Sequence, residues 1–209
     1  MGNYKVIGLD MMEQSQLRRR VERWREQPAL AHDFIGRILS ESGDTPPRFE
    51  AAKWELAVYP LFYYLWTAEN KPDKIDTVFE RGKAEARKRG LPPEFEEDFV
   101  TALNAEVDLL IEDVAYLIFV EAKIKPRFST KNSIGQLARQ LAQGHVLGDL
   151  IDKRFILATL GPQGGARPTG PLALNSRERD FLDSLGVRET ELKVPGLPWD
   201  TTSTSPGSD

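Results

Sequence analysis

The chain has 209 residues, of which 40% are hydrophobic and 29% charged, and its net charge is −4. That length and balance fit one soluble domain with a helical elaboration, and no run nears the ~18 apolar residues that a membrane span needs, so no membrane partner is expected. There is no cysteine and there are two histidines, His32 and His145. Disulfides, thiol catalysis and cysteine-ligated zinc are therefore excluded, and little remains for a histidine-based metal site. The first twenty residues lack the ordered charged and apolar regions of a secretory signal, so the expected location is cytoplasmic.

Residues 3–9 read as a short strand or an ordered tail. Glu13 to Glu26 predicts a helix with Leu17, Val21 and Trp24 at helical spacing and five arginines on its other faces. Arg19 and Arg23 are its candidate phosphate contacts, against the alternative of an ordinary solvated face. Pro28 starts a second helix that runs through Ile38 and Leu39 to about Ser40 and ends at Gly43. Residues 48–66 (RFEAAKWELAVYPLFYYLW) predict a long buried helix with Ala51, Glu55, Val58, Phe62 and Leu65 on one stripe and a kink or a local break at Pro60. Glu55 is thereby an acid on an apolar face. A further helix is expected from Asp73 or Lys74 to Arg89, after which Gly90 to Pro93 breaks the chain. Residues 94–103 read equally as a helix or as the first strand of a sheet.

Residues 106–125 (EVDLLIEDVAYLIFVEAKIK) predict two apolar strands joined by a tight turn. Strand side chains alternate between faces, so Glu121 and Lys123 share one face, as do Asp108 and Leu110. A four-residue loop at 113–116 pairs Glu112 with Leu117 and sets Asp108 opposite Glu121. A two-residue loop at 113–114 sets Glu106 opposite Glu121 instead. Either register gathers Asp108, Glu121 and Lys123 on one face with Glu106 nearby, whereas a slip of one residue separates them. Facing carboxylates repel unless a cation sits between them, and oxygen ligands suit magnesium. The alternative is a surface hairpin with charges at its ends, although strands this apolar are usually buried.

Downstream, 126–131 reads as a loop and Ser133 to Leu150 as a helix with Ile134, Leu137, Leu141 and His145 inward. Gln136, Gln140 and Gln143 form an adjacent stripe, which by itself reads as solvent-facing. Arg154 to Leu160 predicts a buried strand parallel to a strand of the hairpin, because it follows a crossover helix. Ser176 is the expected cap of a last helix, and the chain from Pro195 reads as a polar tail. Residues 94–121 carry nine acids and no base, and residues 123–139 carry five bases and no acid. An acidic site beside a basic flank suits a metal site that receives a phosphate backbone.

Asp108 on one strand, followed 13 residues later by Glu121-Ala122-Lys123 ending the next, resembles the PD-(D/E)XK nuclease superfamily. The resemblance covers about residues 50–160, and Val107 stands where the family name puts proline. It implies an α/β fold: a restriction-endonuclease-like core over 46–194 with a central mixed β-sheet flanked by helices. An N-terminal helical elaboration (1–45) and a tail (195–209) flank it. It further implies a metal-dependent nuclease acting on DNA, with RNA as the second choice, that uses magnesium or manganese. In such proteins the helix preceding the sheet often supplies a further acid, here Glu55, or Glu50. Asp108 and Glu121 would hold the metal with Glu55 or Glu106, and Lys123 would position the attacking water. RecB-like members carry Gln-x-x-x-Tyr on the following helix; Gln136 matches the glutamine, and Gln140 stands in place of the tyrosine. Phosphates would meet Arg19, Arg23, Lys125, Arg127, Lys131 and Arg139. The alternative is a nuclease-fold protein that binds nucleic acid or a protein partner without cutting. A homodimer is left open.

Overall fold

The computed structural model of the chain describes residues 9–44, 53–67, 75–123, 130–131, 134–161 and 168–199. The expected N-terminal strand falls outside that set apart from Leu9, as do Glu50, Lys125 and Arg127. Two helices come first, α1 (Leu9–Glu26) and α2 (Pro28–Ser42). Pro28 opens α2 because its missing N–H costs nothing in the first turn. Gly43 closes it with φ 84, and the Gly43 and Asp44 N–H groups cap the Ser40 and Leu39 carbonyls.

Residues 53–67 do not form the single long helix that their periodicity suggests. They form strand β1 (Lys53–Val58) and a short helix α3 (Pro60–Thr67). Pro60 is the reason, since proline suits a first helical turn and breaks an interior one. The apolar stripe of the expected helix also reads as an alternation, with Trp54 and Leu56 on one side of β1. Ala57 has φ 52, a left-handed conformation, and beyond it Val58 packs against the opposite layer from Trp54 and Leu56.

Helix α4 (Ile75–Lys88), a 3-10 turn at Pro93–Phe95 and helix α5 (Glu96–Leu103) follow. Residues 96–103 are therefore helical, and the first strand of the sheet is β1. The hairpin is β2 (Val107–Glu112) and β3 (Tyr116–Ala122). Two-residue strands β4 (Thr130–Lys131) and β5 (Ile134–Gly135) lead into α6 (Gln136–Leu150). Strand β6 (Arg154–Gly161), short strand β7 (Gly170–Pro171), helix α7 (Ser176–Ser184), and strands β8 (Lys193–Val194) and β9 (Gly196–Pro198) complete the chain. The cap of α7 is Asn175 rather than Ser176, in a capping box with Glu178.

The central sheet runs in the order β1-β2-β3-β6-β9 and is mixed. β1, β2 and β3 are antiparallel neighbours, while β3, β6 and β9 run parallel. One face, carrying Leu109, Ile111, Ile118, Val120 and Ile156, is covered by Leu17, Val21 and Trp24 of α1 and by Phe34, Ile35 and Ile38 of α2. The other, carrying Leu110, Leu117, Phe119 and Leu157, is covered by the remaining helices. This is an α/β fold with helices on both faces of the sheet. The expected tail does not start at Pro195: Leu197 and Trp199 are buried, and β9 is the fifth strand. No described helix is long and apolar enough to cross a membrane.

Candidate active site

The hairpin register decides the site. Leu109 pairs with Val120 and Glu112 with Leu117, so one step further Asp108 stands opposite Glu121. Asp113 holds the turn by accepting the Ala115 and Tyr116 N–H groups at 2.8 and 2.5 Å. Directly opposed residues of an antiparallel pair point the same way, so both acids face the layer of α5 and α6.

Glu121 is fully buried in side-chain contacts. Its Oε1 accepts from Gln136 Nε2 at 2.6 Å and forms an ion pair with Lys123 Nζ, and its Oε2 accepts from Gln140 Nε2 at 2.6 Å. Gln136 and Gln140 are one helical turn apart on α6, which sets both amides over β3. Asp108 is half-buried, and its Oδ2 accepts the Ala122 N–H at 2.8 Å. Burial and the Glu121 charge push the Asp108 carboxyl well above the usual carboxylate range; Lys123 and the Ala122 N–H oppose this, and Glu106 adds to it. Lys123 lies just past the end of β3. Its backbone is held on both sides, its N–H by the Leu160 carbonyl at 2.8 Å and its carbonyl by Trp199 Nε1 at 3.2 Å.

Glu106 stands at the rim of this group. Its two oxygens accept from Tyr59 Oη at 2.8 Å and from Gln14 Nε2 of α1 at 3.3 Å. Burial, then that hydrogen bond, raises the Tyr59 hydroxyl to about 12. Glu55, expected on a buried helix, instead lies on β1 opposite Leu110 and pairs with Lys53 at 2.8 Å. It faces a cavity of about 570 Å³ shared with Tyr63, Tyr64 and Glu112.

The expected phosphate contacts scatter. Arg19 and Arg23 are exposed on α1, in the layer across the sheet from the acids. Arg139 is not a surface cation: it is buried on α6, donates to the Ile134 carbonyl at 3.4 Å, and has its pKa lowered by burial. Of Lys131 only the backbone, in β4, is described.

The sequence reading missed the structural part of Gln140, Tyr59 and Gln14. The four-residue spacing of Gln136 and Gln140 was the available signal, and the solvent-facing reading of that stripe fails because Gln140 and Gln143 are fully buried.

Among the described residues no three histidine, aspartate or glutamate side chains gather as a metal group. The donors at the acid pair nevertheless fit a hard cation. They are all oxygens, they repel in its absence, and magnesium is commonly held by one or two carboxylates with waters and substrate oxygens completing its shell. No protein-family model matches the sequence, and neither a curated protein nor a solved structure matches it.

Proposed function

We propose that the chain is a magnesium-dependent nuclease with a restriction-endonuclease-like core, hydrolysing phosphodiester bonds, with DNA as the first candidate substrate and RNA as the second. The observation that carries this reading is the facing of Asp108 and Glu121 across β2 and β3, with Lys123 paired to Glu121. A scaffold has no need of two facing acids that repel, and their proximity costs stability unless a cation offsets it. Manganese would substitute.

Asp108 and Glu121 would hold the cation. The chemistry that magnesium supplies when bound is polarisation of a phosphoryl oxygen and activation of a water. Gln136 and Gln140 keep the Glu121 carboxylate in one orientation through the cycle. Lys123 Nζ would donate to the attacking water and to the phosphoryl oxygen that gains charge. The two backbone hydrogen bonds on Lys123 aim that ammonium, because they fix the residue from which it extends. Asp108 would meet the cation as the carboxylate.

A second reading is a nuclease-fold protein that binds nucleic acid or a protein partner without cutting. It is favoured by the closure of the Glu121 carboxylate against Lys123 and two amides. Single-turnover cleavage of single-stranded, duplex, branched and RNA substrates, with magnesium, manganese or chelator, separates the two. The nuclease reading expects metal-dependent cleavage that falls roughly a hundredfold or more in Lys123→Ala, as for other lost transition-state donors. Binding in calcium should weaken by only about one phosphate contact. Tight binding with no cleavage of any substrate would establish the second reading instead.

A further inference from the structure

Gln140 differs from the other glutamines of α6 in one respect that bears on the cation. Its Nε2 donates to Glu121 Oε2 at 2.6 Å and to the Glu106 carbonyl at 2.9 Å, so one amide bridges β3 and the entry to β2. Those are the two strands that carry the acid pair. Its Oε1 is buried and has no hydrogen-bond partner among the described residues. Turning the amide over gives no relief, because the oxygen would then face two acceptors.

Gln143, one turn further along α6, shows how a structural glutamine is completed. Its Nε2 likewise bridges two carbonyls, Ala102 and Ala105, each at 2.9 Å. Its Oε1 accepts the Leu61 N–H at 3.3 Å. Two neighbouring glutamines therefore make the same double donation, and only the one beside Glu121 keeps a buried oxygen without a donor. Buried polar atoms are almost always satisfied, and an amide oxygen can be satisfied by a hard cation or by a water that the cation orders.

We infer that the Gln140 amide oxygen is the third oxygen of the Asp108–Glu121 cation site, meeting the ion or a water held on it. Gln140 thus has two roles on one amide: the nitrogen orients Glu121, and the oxygen completes the ligand set. This rests on the proposed metal-dependent function and adds a residue to it.

The test measures manganese itself rather than activity. Free manganese is titrated by its paramagnetic resonance signal against the full-length parent, Gln136→Met and Gln140→Met, with folding checked by thermal melts in chelator. Both substitutions remove one donor to Glu121, and only Gln140→Met removes the orphan oxygen. Gln136→Met should weaken manganese binding by less than about threefold and Gln140→Met by roughly tenfold or more. Crystals of the parent soaked in manganese give an independent readout that needs no variant to fold. The anomalous peak should lie about 2.2 Å from Gln140 Oε1, or about 4 Å through a water. Equal losses in the two variants, or a peak beside Asp108 and Glu121 but remote from Gln140, overturns this inference and leaves the nuclease reading standing. A parent that takes up no manganese at millimolar concentration overturns both.

Discussion

One proton on Asp108 links the site to the stability of the whole chain. Burial and the facing Glu121 raise its folded pKa, so the folded protein holds a proton that the unfolded chain has already lost. The stability this confers is complete below the ordinary carboxylate range and is lost as pH rises through the folded value. In chelator the stability should therefore fall over that window, by at most about 1.4 kcal/mol per pH unit for one proton, and the melting temperature with it. Asp108→Asn should flatten the fall and make the metal-free protein more stable above it. Magnesium should raise the melting point of the parent and leave Asp108→Asn nearly unmoved. Thermal melts across pH, with chelator and with magnesium, check both; an unchanged slope in Asp108→Asn would remove the repelling pair from the account. Asp108, Glu121 and Lys123 were legible at this scale because a period of two admits only two faces. Gln140 was not, because a helical stripe does not say which neighbour covers it.

At the scale of elements, α6 is the piece that brings chemistry to the sheet. It can lie close only because Gly144 and Gly148 face β6. A Cβ built at Gly144 would meet the Phe155 ring at 2.0 Å, and one at Gly148 would meet the Lys153 carbonyl at 2.8 Å. Gly144→Ala should therefore destabilise the protein by about 3 kcal/mol, at the upper end of overpacking costs, although alanine is the better helix former. It should also lift Gln140 from Glu121, so metal affinity should fall with stability. Chemical denaturation measures the first effect, and a stability within about 0.5 kcal/mol of the parent would show that Phe155 can move aside. One element was misread because its residues carry two valid periodicities. Residues 53–58 fit a helical stripe and a strand alternation equally, and pairing with β2 chose the strand.

At the scale of the molecule, the C-terminal segment belongs to the fold and reaches the site. β9 extends the sheet, Trp199 is buried, and its indole N–H holds the Lys123 carbonyl. Arg20 of α1 lies over the Trp199 ring, 5.0 Å from its centroid. The preceding turn is tied to α6 by Glu191. Burial pushes that carboxyl up, but hydrogen bonds from His145 and Arg188 outweigh it and hold the group down to about 2. Trp199→Ala should cost about 3 kcal/mol, as buried Trp truncations do. It should slow cleavage beyond what its stability loss explains, because Lys123 loses one of its two backbone restraints. Urea melts with single-turnover assays measure both, and a variant as stable as the parent would return Trp199 to a surface role.

The sequence by itself determined the hairpin, its face assignment, the parallel return of β6 and the helical start at Pro28. These follow from local sterics, alternation and the handedness of crossovers, which need no distant partner. Only the tertiary structure decided that residues 53–58 are a strand and that 196–198 extend the sheet, and only it buried Arg139 and set Gln136 and Gln140 on Glu121. Each of these depends on which surface a segment meets. Weak local preference is overridden there by burial against residues more than forty positions away or by hydrogen bonds between elements.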